Sequence, residues 1–235
     1  MKNIFYVLIS ISLLSCSKQQ KLNSDVKSVS AMKNVMWKGE LSAKIQLDTI
    51  QPKDGLFGIG PVEKLSGEIT IIDGQTYVST INAKKQMQVE INSNVGAPFF
   101  VYAHAYKFKE IKLPDSITNL TQLNDFLTKE HDREQAYVFK LEGDIKSGKI
   151  HVQNLLPNTQ VSSPKEAHQS QVDFEIGETA VEMLGFYSNS SQGIYTHHDT
   201  NIHVHLISQD KSMMGHCDEV VFNPNAVKLY VSVRD

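Results

Sequence analysis

His203-Val204-His205, followed by His216, is the pattern in this chain best able to do chemistry. Asn201 to Ser208 and Met213 to Phe222 alternate like strands, and Gln209-Asp210-Lys211-Ser212 between them is polar and turn-forming. The stretch therefore predicts a β-hairpin. With Asp210-Lys211 as a two-residue loop, Gln209 pairs with Ser212 and His205 falls opposite His216. His203 shares a face with His205, because strand side chains alternate with a period of two. Directly paired residues have Cβ atoms roughly 5 Å apart, so three imidazoles converge. Three protein nitrogens with a fourth position open is a common way to hold catalytic zinc. In the same register Asp218 faces His203, either as a fourth ligand or as an exposed acid near the hairpin end. His197 and His198, in Thr196-His-His-Asp199, fit a solvated histidine-rich loop better than further ligands.

Other elements must position that hairpin, and two β-rich halves joined by one helix supply them. The first half spans about 35–112. Within it Leu65 to Ile72, Asp73-Gly74 and Gln75 to Thr80 read as strand, turn, strand, since Asp-Gly between alternating apolar residues is a strong hairpin signal. Gln86 to Asn92 and Pro98 to Phe108 are further strands. The connecting segment, 113–134, carries Leu120, Leu123, Phe126 and Leu127 on one helical face, with Thr118 or Ser116 as the cap. The second half, 135–235, holds strands at Ala136 to Leu141, Lys149 to Leu155, Val172 to Ile176, Val181 to Ser188, the histidine hairpin, and Val227 to Val233. Pro157 to Gln169 reads as a polar loop. The expected fold is α+β: two β-rich halves with mixed sheets, few helices, and the metal site in the cleft between them.

The first residues belong to targeting rather than to the fold. Lys2, the apolar run Ile4 to Leu14, and Leu13-Leu14-Ser15-Cys16 describe a secretory signal over 1–16. Leu-x-Ser-Cys resembles a bacterial lipoprotein cleavage box, which makes Cys16 the lipid-bearing residue of an exported protein on the periplasmic or outer face of a membrane. The run is too short for a stable membrane span. Residues 17–34, rich in Lys, Gln and Ser, read as a flexible tether. Cys217 then has no intramolecular partner and is expected as a small buried hydrophobe. A net charge of -3 without a long basic run argues against nucleic acid as a partner.

Several stretches together resemble the α-acetolactate decarboxylase family. They are Phe57-Gly-Ile-Gly-Pro-Val-Glu-Lys-Leu-Ser-Gly-Glu68, Asp73-Gly74, Ala97-Pro-Phe99, Tyr137-Val-Phe-Lys-Leu-Glu-Gly143, Gly185-Phe-Tyr-Ser188, and His203, His205, Gly215-His216. Their order and spacing, from about Trp37 to Phe222, carry the resemblance. It implies a zinc-dependent homodimer that converts 2-acetolactate to acetoin and CO2, with zinc on His203, His205 and His216 and an active-site glutamate at Glu68. The chain departs from the family in four places, one of them what looks like a two-residue insertion at Thr196-His-His-Asp199 beside the metal. Lys149-Ile-His-Val-Gln-Asn154 has no arginine where the family has one, which leaves His151 or Lys149 as partial substitutes for binding substrate. Ser66 stands for the usual aspartate. The family's second glutamate, on a C-terminal tail, is expected to be missing from a sequence that runs to Asp235.

Two readings follow from different classes. One is a zinc-dependent decarboxylase of acetolactate or a related 2-hydroxy-3-keto acid. The alternative is a non-catalytic, surface-anchored domain that binds zinc or a small ligand, which the missing arginine and export favour. A metal-dependent hydrolase is a weaker third, because no further base or oxyanion element is visible.

Overall fold

A computed structural model of the chain describes residues 25–130 and 135–233. The signal segment, Cys16 and the start of the tether lie outside the described residues. In chain order the elements are β1 (Lys27–Val29), α1 (Met32–Lys38), β2 (Ile45–Gln46), β3 (Leu56–Pro61), β4 (Glu68–Ile72), β5 (Gln75–Ile81), β6 (Met87–Ile91), β7 (Gly96–Ala97), β8 (Phe100–His104) and β9 (Phe108–Ile111). There follow α2 (Leu120–Glu130), β10 (Tyr137–Val152), α3 (Pro164–Ala167), β11 (Val172–Ile176), β12 (Thr179–Tyr187), β13 (Ile202–Ser208) and β14 (Met214–Ser232).

Two six-stranded sheets dominate. The first runs β1-β8-β3-β4-β5-β6, and the second runs β11-β10-β12-β13-β14-β9. β14 also turns back onto β10, so β10, β12, β13 and β14 close a ring of ladders. Two β-rich halves are therefore present, but every ladder between named strands is antiparallel rather than mixed. Tight turns rather than crossover helices link most neighbouring strands, and tight turns leave strands antiparallel. The boundary at 112 is also displaced, because β9 leaves the first sheet and pairs with β14 of the second.

The tether reading fails for residues 25–34. β1 pairs with β8, and Met32, Val35 and Met36 of α1 are buried against Leu65, Phe99, Leu155 and Val161. Three apolar residues on one helical face outweigh the polar composition around them. Asp73 and Gly74 adopt positive φ of 46° and 81°, the conformation of a two-residue hairpin turn, and Ile72 pairs with Gln75 as expected. The helix at Leu120 also forms, burying Leu123 and Leu127. Its cap is Asn119, whose Oδ1 accepts the Gln122 N–H at 3.0 Å, rather than Thr118 or Ser116. Gln122 Oε1 in return accepts the Thr118 N–H at 2.8 Å, a reciprocal pairing that fixes the first turn.

The strands expected at Ala136 to Leu141 and Lys149 to Leu155 are one continuous β10, and the hairpin's second strand runs on through Val227 as β14. Gly143, at φ 138°, and three register shifts let this long pair bend without breaking. The sheets meet over a shared apolar seam. Phe57, Ile59 and Val101 of the first pack with Val138, Leu184 and Phe186 of the second. Gly185 makes the next layer possible. A Cβ there would lie 2.1 Å from the Phe139 ring, so the glycine leaves the room that ring occupies. This seam sets β4 of one sheet beside β13 and β14 of the other.

Candidate metal centre

The hairpin places its histidines in the expected register, with His205 directly opposite His216. Its loop is longer than expected. Ser208 and Met213 close the ladder, and Gln209 donates to the Ala180 carbonyl instead of pairing with Ser212. The Asp210 carboxylate accepts from the Ser208 and Ser212 hydroxyls, at 2.6 and 2.8 Å, and so builds a four-residue turn. Adding two loop residues symmetrically preserves the register, so the histidine face is unchanged.

One ring nitrogen from each of His203, His205 and His216 lies within 4.8 Å of the other two. His203 Nε2 stands 3.1 Å from His216 Nδ1. Nitrogens bound to one tetrahedral ion at about 2.0–2.1 Å stand roughly 3.3 Å apart, so this pair is spaced as two ligands are. Thr70, on β4, fixes the third ring. Its hydroxyl lies 3.1 Å from the Met214 sulfur and 3.0 Å from His205 Nδ1. That bond occupies Nδ1 and leaves Nε2 as the free nitrogen of the ring. His205 Nε2 is buried and has no hydrogen-bond partner among the described residues, as a nitrogen reserved for a cation would be. The far edge of His216 is also held, with Nε2 3.3 Å from His197 Nε2. Partners on the outer nitrogens of metal-binding histidines fix tautomer and ring orientation.

Electrostatics agree with a cation site. Burial, ahead of the neighbouring His151, holds His205 down to about 3. Burial, then the adjacent imidazoles, keeps His203 and His216 well below the ordinary imidazole range. All three are neutral near pH 7, and neutral imidazole is the form that binds metal. The residues present therefore fit a divalent ion with nitrogen preference.

Glu68 reaches this cluster from the other sheet. The turn Lys64-Leu65, with φ of 62° and 53°, aims β4 so that Glu68 and Thr70 share the face toward β13. Glu68 Oε2 is 3.7 Å from His205 Nε2, and Oε1 accepts the Gln153 N–H at 3.2 Å. Burial pushes its carboxyl well above the usual carboxylate range, partly offset by that hydrogen bond. Histidines and glutamate thus meet between the two sheets, where the sequence placed the site.

His151 is present as well, directly across β14 from His216. Gly215 permits the close approach, since a Cβ there would sit 2.5 Å from the His151 carbonyl oxygen. Asp218 does not face His203. Between Lys149 and Ile150 the β10–β14 register slips by one, leaving Asp218 as the extra residue of a bulge, and its carboxylate sits on His151 Nδ1 with both oxygens at 2.9 Å. Lys149 is not brought to the site. Its ammonium is held by Asp173 at 3.0 Å, and it lines neither cavity beside the cluster. His197 is half-buried against His216 rather than solvated, while His198 is exposed. Cys217 is buried, as expected.

Three residues at the site escaped the sequence reading. Thr70 follows from alternation once Glu68 is placed. Gln153 extends the face of His151 beyond β10. His168 comes from the segment read as a loop, where α3 forms instead. Ser163-Pro-Lys-Glu166 is a capping-box signal, and the Ser163 hydroxyl indeed accepts the Glu166 N–H at 3.3 Å. Glu68, His151, Gln153, His168, His197, His203 and His216 line an inner cavity of about 30 Å³, closed by Met32, Met36 and Phe99. An outer chamber of about 460 Å³ lies beyond His197 and His216, against Leu120 and Asn124 of α2. Among the described residues, which include neither Arg133 nor Arg234, no lysine lines either space.

Comparison with known proteins agrees with this architecture. The alpha-acetolactate decarboxylase from Bacillus subtilis strain 168 superposes with a TM-score of 0.72 at 20% identity, covering 89% of this chain and 86% of that one. A Staphylococcus aureus protein of unknown function similar to alpha-acetolactate decarboxylase gives 0.71 at 14% identity, with the same coverage. No curated protein matches the sequence. The alpha-acetolactate decarboxylase profile matches residues 27–233, and the chain belongs to that family.

Proposed function

We propose that the chain is a zinc-dependent lyase that removes CO2 from 2-acetolactate, or a closely related 2-hydroxy-3-oxo acid, to give acetoin. The observation that carries this reading is a buried carboxyl, Glu68, 3.7 Å from the bare nitrogen of His205 in a three-histidine cluster. His203, His205 and His216 would hold the ion, and three nitrogens leaving positions open suit catalytic zinc. When bound, zinc supplies a Lewis acid that stabilises charge on the ketone and hydroxyl oxygens. Loss of CO2 from a β-keto acid leaves an electron-rich carbon that must take up a proton. Glu68, a carboxyl whose acid form burial favours, would deliver that proton to one face. Met32 and Met36, unbranched and adaptable, line the inner cavity and would be the wall that yields to a ligand larger than water. The test is acetoin formation from racemic 2-acetolactate by zinc-loaded protein. Acetoin should appear well above the spontaneous rate. If it does not, the enzyme reading falls and the alternative, a zinc-binding domain, stands.

Export and anchoring complete the proposal. Cys16 would carry lipid and hold the protein at a bacterial membrane, with two acyl chains giving stable attachment where one gives only marginal binding. Among the described residues no helix is long and apolar enough to cross a membrane. Cys16→Ser should move the protein from the membrane to the soluble fraction. Unchanged membrane association in that variant rules the anchor out. A homodimer is the expected assembly, which the mass of the purified protein in solution checks.

A further inference from the structure

We infer that His151, locked by Asp218, is the hydrogen-bond acceptor that selects ligands bearing a hydroxyl group beside their ketone. The inference rests on the decarboxylase reading for its substrate, but on its own geometry for the residue. Both Asp218 oxygens lie 2.9 Å from His151 Nδ1. A carboxylate can only accept, so Nδ1 carries a proton, and in the neutral ring Nε2 is then the acceptor. His151 lines the inner cavity and Asp218 lines the outer chamber, so the imidazole is held from behind and presents its other edge inward. Asp218 is the extra residue of the bulge between β14 and β10, two residues from His216, and its carboxylate lies beside the ring of His151.

A second observation points the same way. Gln153 Nε2 is engaged with His168 Nδ1 at 2.9 Å, which leaves Gln153 Oε1 buried without a partner on the same inner wall. The cavity thus offers acceptors in want of a donor. Among the described residues no lysine lines it. A hydroxyl satisfies such an acceptor, whereas a methyl group in its place leaves the buried nitrogen unpaired. Sites built to bond a substrate hydroxyl reject analogues without it strongly.

The experiment compares pairs that differ only in that group, using the zinc-loaded protein. Turnover is measured for 2-acetolactate against 2,2-dimethyl-3-oxobutanoate, and binding by ligand-observed NMR for acetoin against 3-methylbutan-2-one. Wild-type protein should prefer the hydroxylated member of each pair. In His151→Phe, which keeps the ring and removes both nitrogens, the preference should fall by about tenfold or more, the scale of one lost buried hydrogen bond. Asp218→Asn should lower it too, because a carboxamide can donate to Nδ1 and so move the proton to Nε2. This second variant decides the matter if the first does not fold. Preferences within twofold of wild type in zinc-replete variants would overturn the inference and assign hydroxyl recognition to the metal alone. So would a wild-type protein that binds neither ketone. Absence of acetolactate turnover defeats the decarboxylase reading without touching the binding ratio, so the two failures are distinguishable.

Discussion

His205→Ala should leave a folded protein that no longer binds stoichiometric zinc. His205 is the central member of the cluster, opposite His216 on one side and two residues from His203 on the other. It is 1% exposed, and its Nε2 has no hydrogen-bond partner among the described residues. Removing it leaves two imidazoles, one fewer than the three protein ligands typical of catalytic zinc. The loss reaches stability as well. Free zinc at 1,000 times its dissociation constant stabilises a one-site protein by about 4 kcal/mol. For a chain of this size that is roughly 10 °C in melting temperature. Wild-type protein should show that rise on adding zinc, and the variant should show none. Metal content after gel filtration, together with melts with and without zinc, measures both. One zinc per chain retained in the variant would refute the three-histidine site.

The histidine face was legible because it depends only on period-two alternation and on a turn of even length. Both survive a change from two loop residues to four. Asp218 was misplaced for the opposite reason. The β13–β14 ladder ends at the His205–His216 pair, so Asp218 has no partner on β13 and becomes the extra residue of a bulge against β10. Nothing in Cys217-Asp218-Glu219 announces that bulge, since it arises where β14 leaves β13 to pair with β10. His197 and His168 were hidden differently. Each lies outside a regular strand, and the packing of neighbouring segments, rather than local composition, brings it against the cluster. The ladders proved antiparallel because tight turns link most neighbouring strands, while the β10–β14 pairing that closes the second sheet is long-range and lies in no local window. The meeting of Glu68 with the histidines was legible only through the family resemblance. Alternation places Glu68 on a face of β4, but only the packing of Phe57 and Val101 against Leu184 and Phe186 turns that face toward β13.

That packing is what makes Glu68→Gln informative. Glutamine keeps the volume and an oxygen for the Gln153 N–H, so the seam between the sheets should hold and the variant should fold. It removes the ionisable proton at the one carboxyl within reach of His205 Nε2, 3.7 Å away. If Glu68 delivers a proton to the carbon that loses CO2, acetoin formation should fall by roughly 10²-fold or more, the scale of a lost general acid. Zinc content should stay near that of wild type, because three histidines remain. The two measurements together separate the roles open to a carboxyl at this distance. Lost zinc with lost turnover would make Glu68 a metal ligand. Retained zinc with unaltered turnover would make it a structural carboxyl and remove it from the chemistry. Retained zinc with a deep fall in rate is the expected result. A shortened Glu68→Asp, which withdraws the acid from the cluster while keeping its proton, should then fall between the two, because proton transfer demands hydrogen-bond reach.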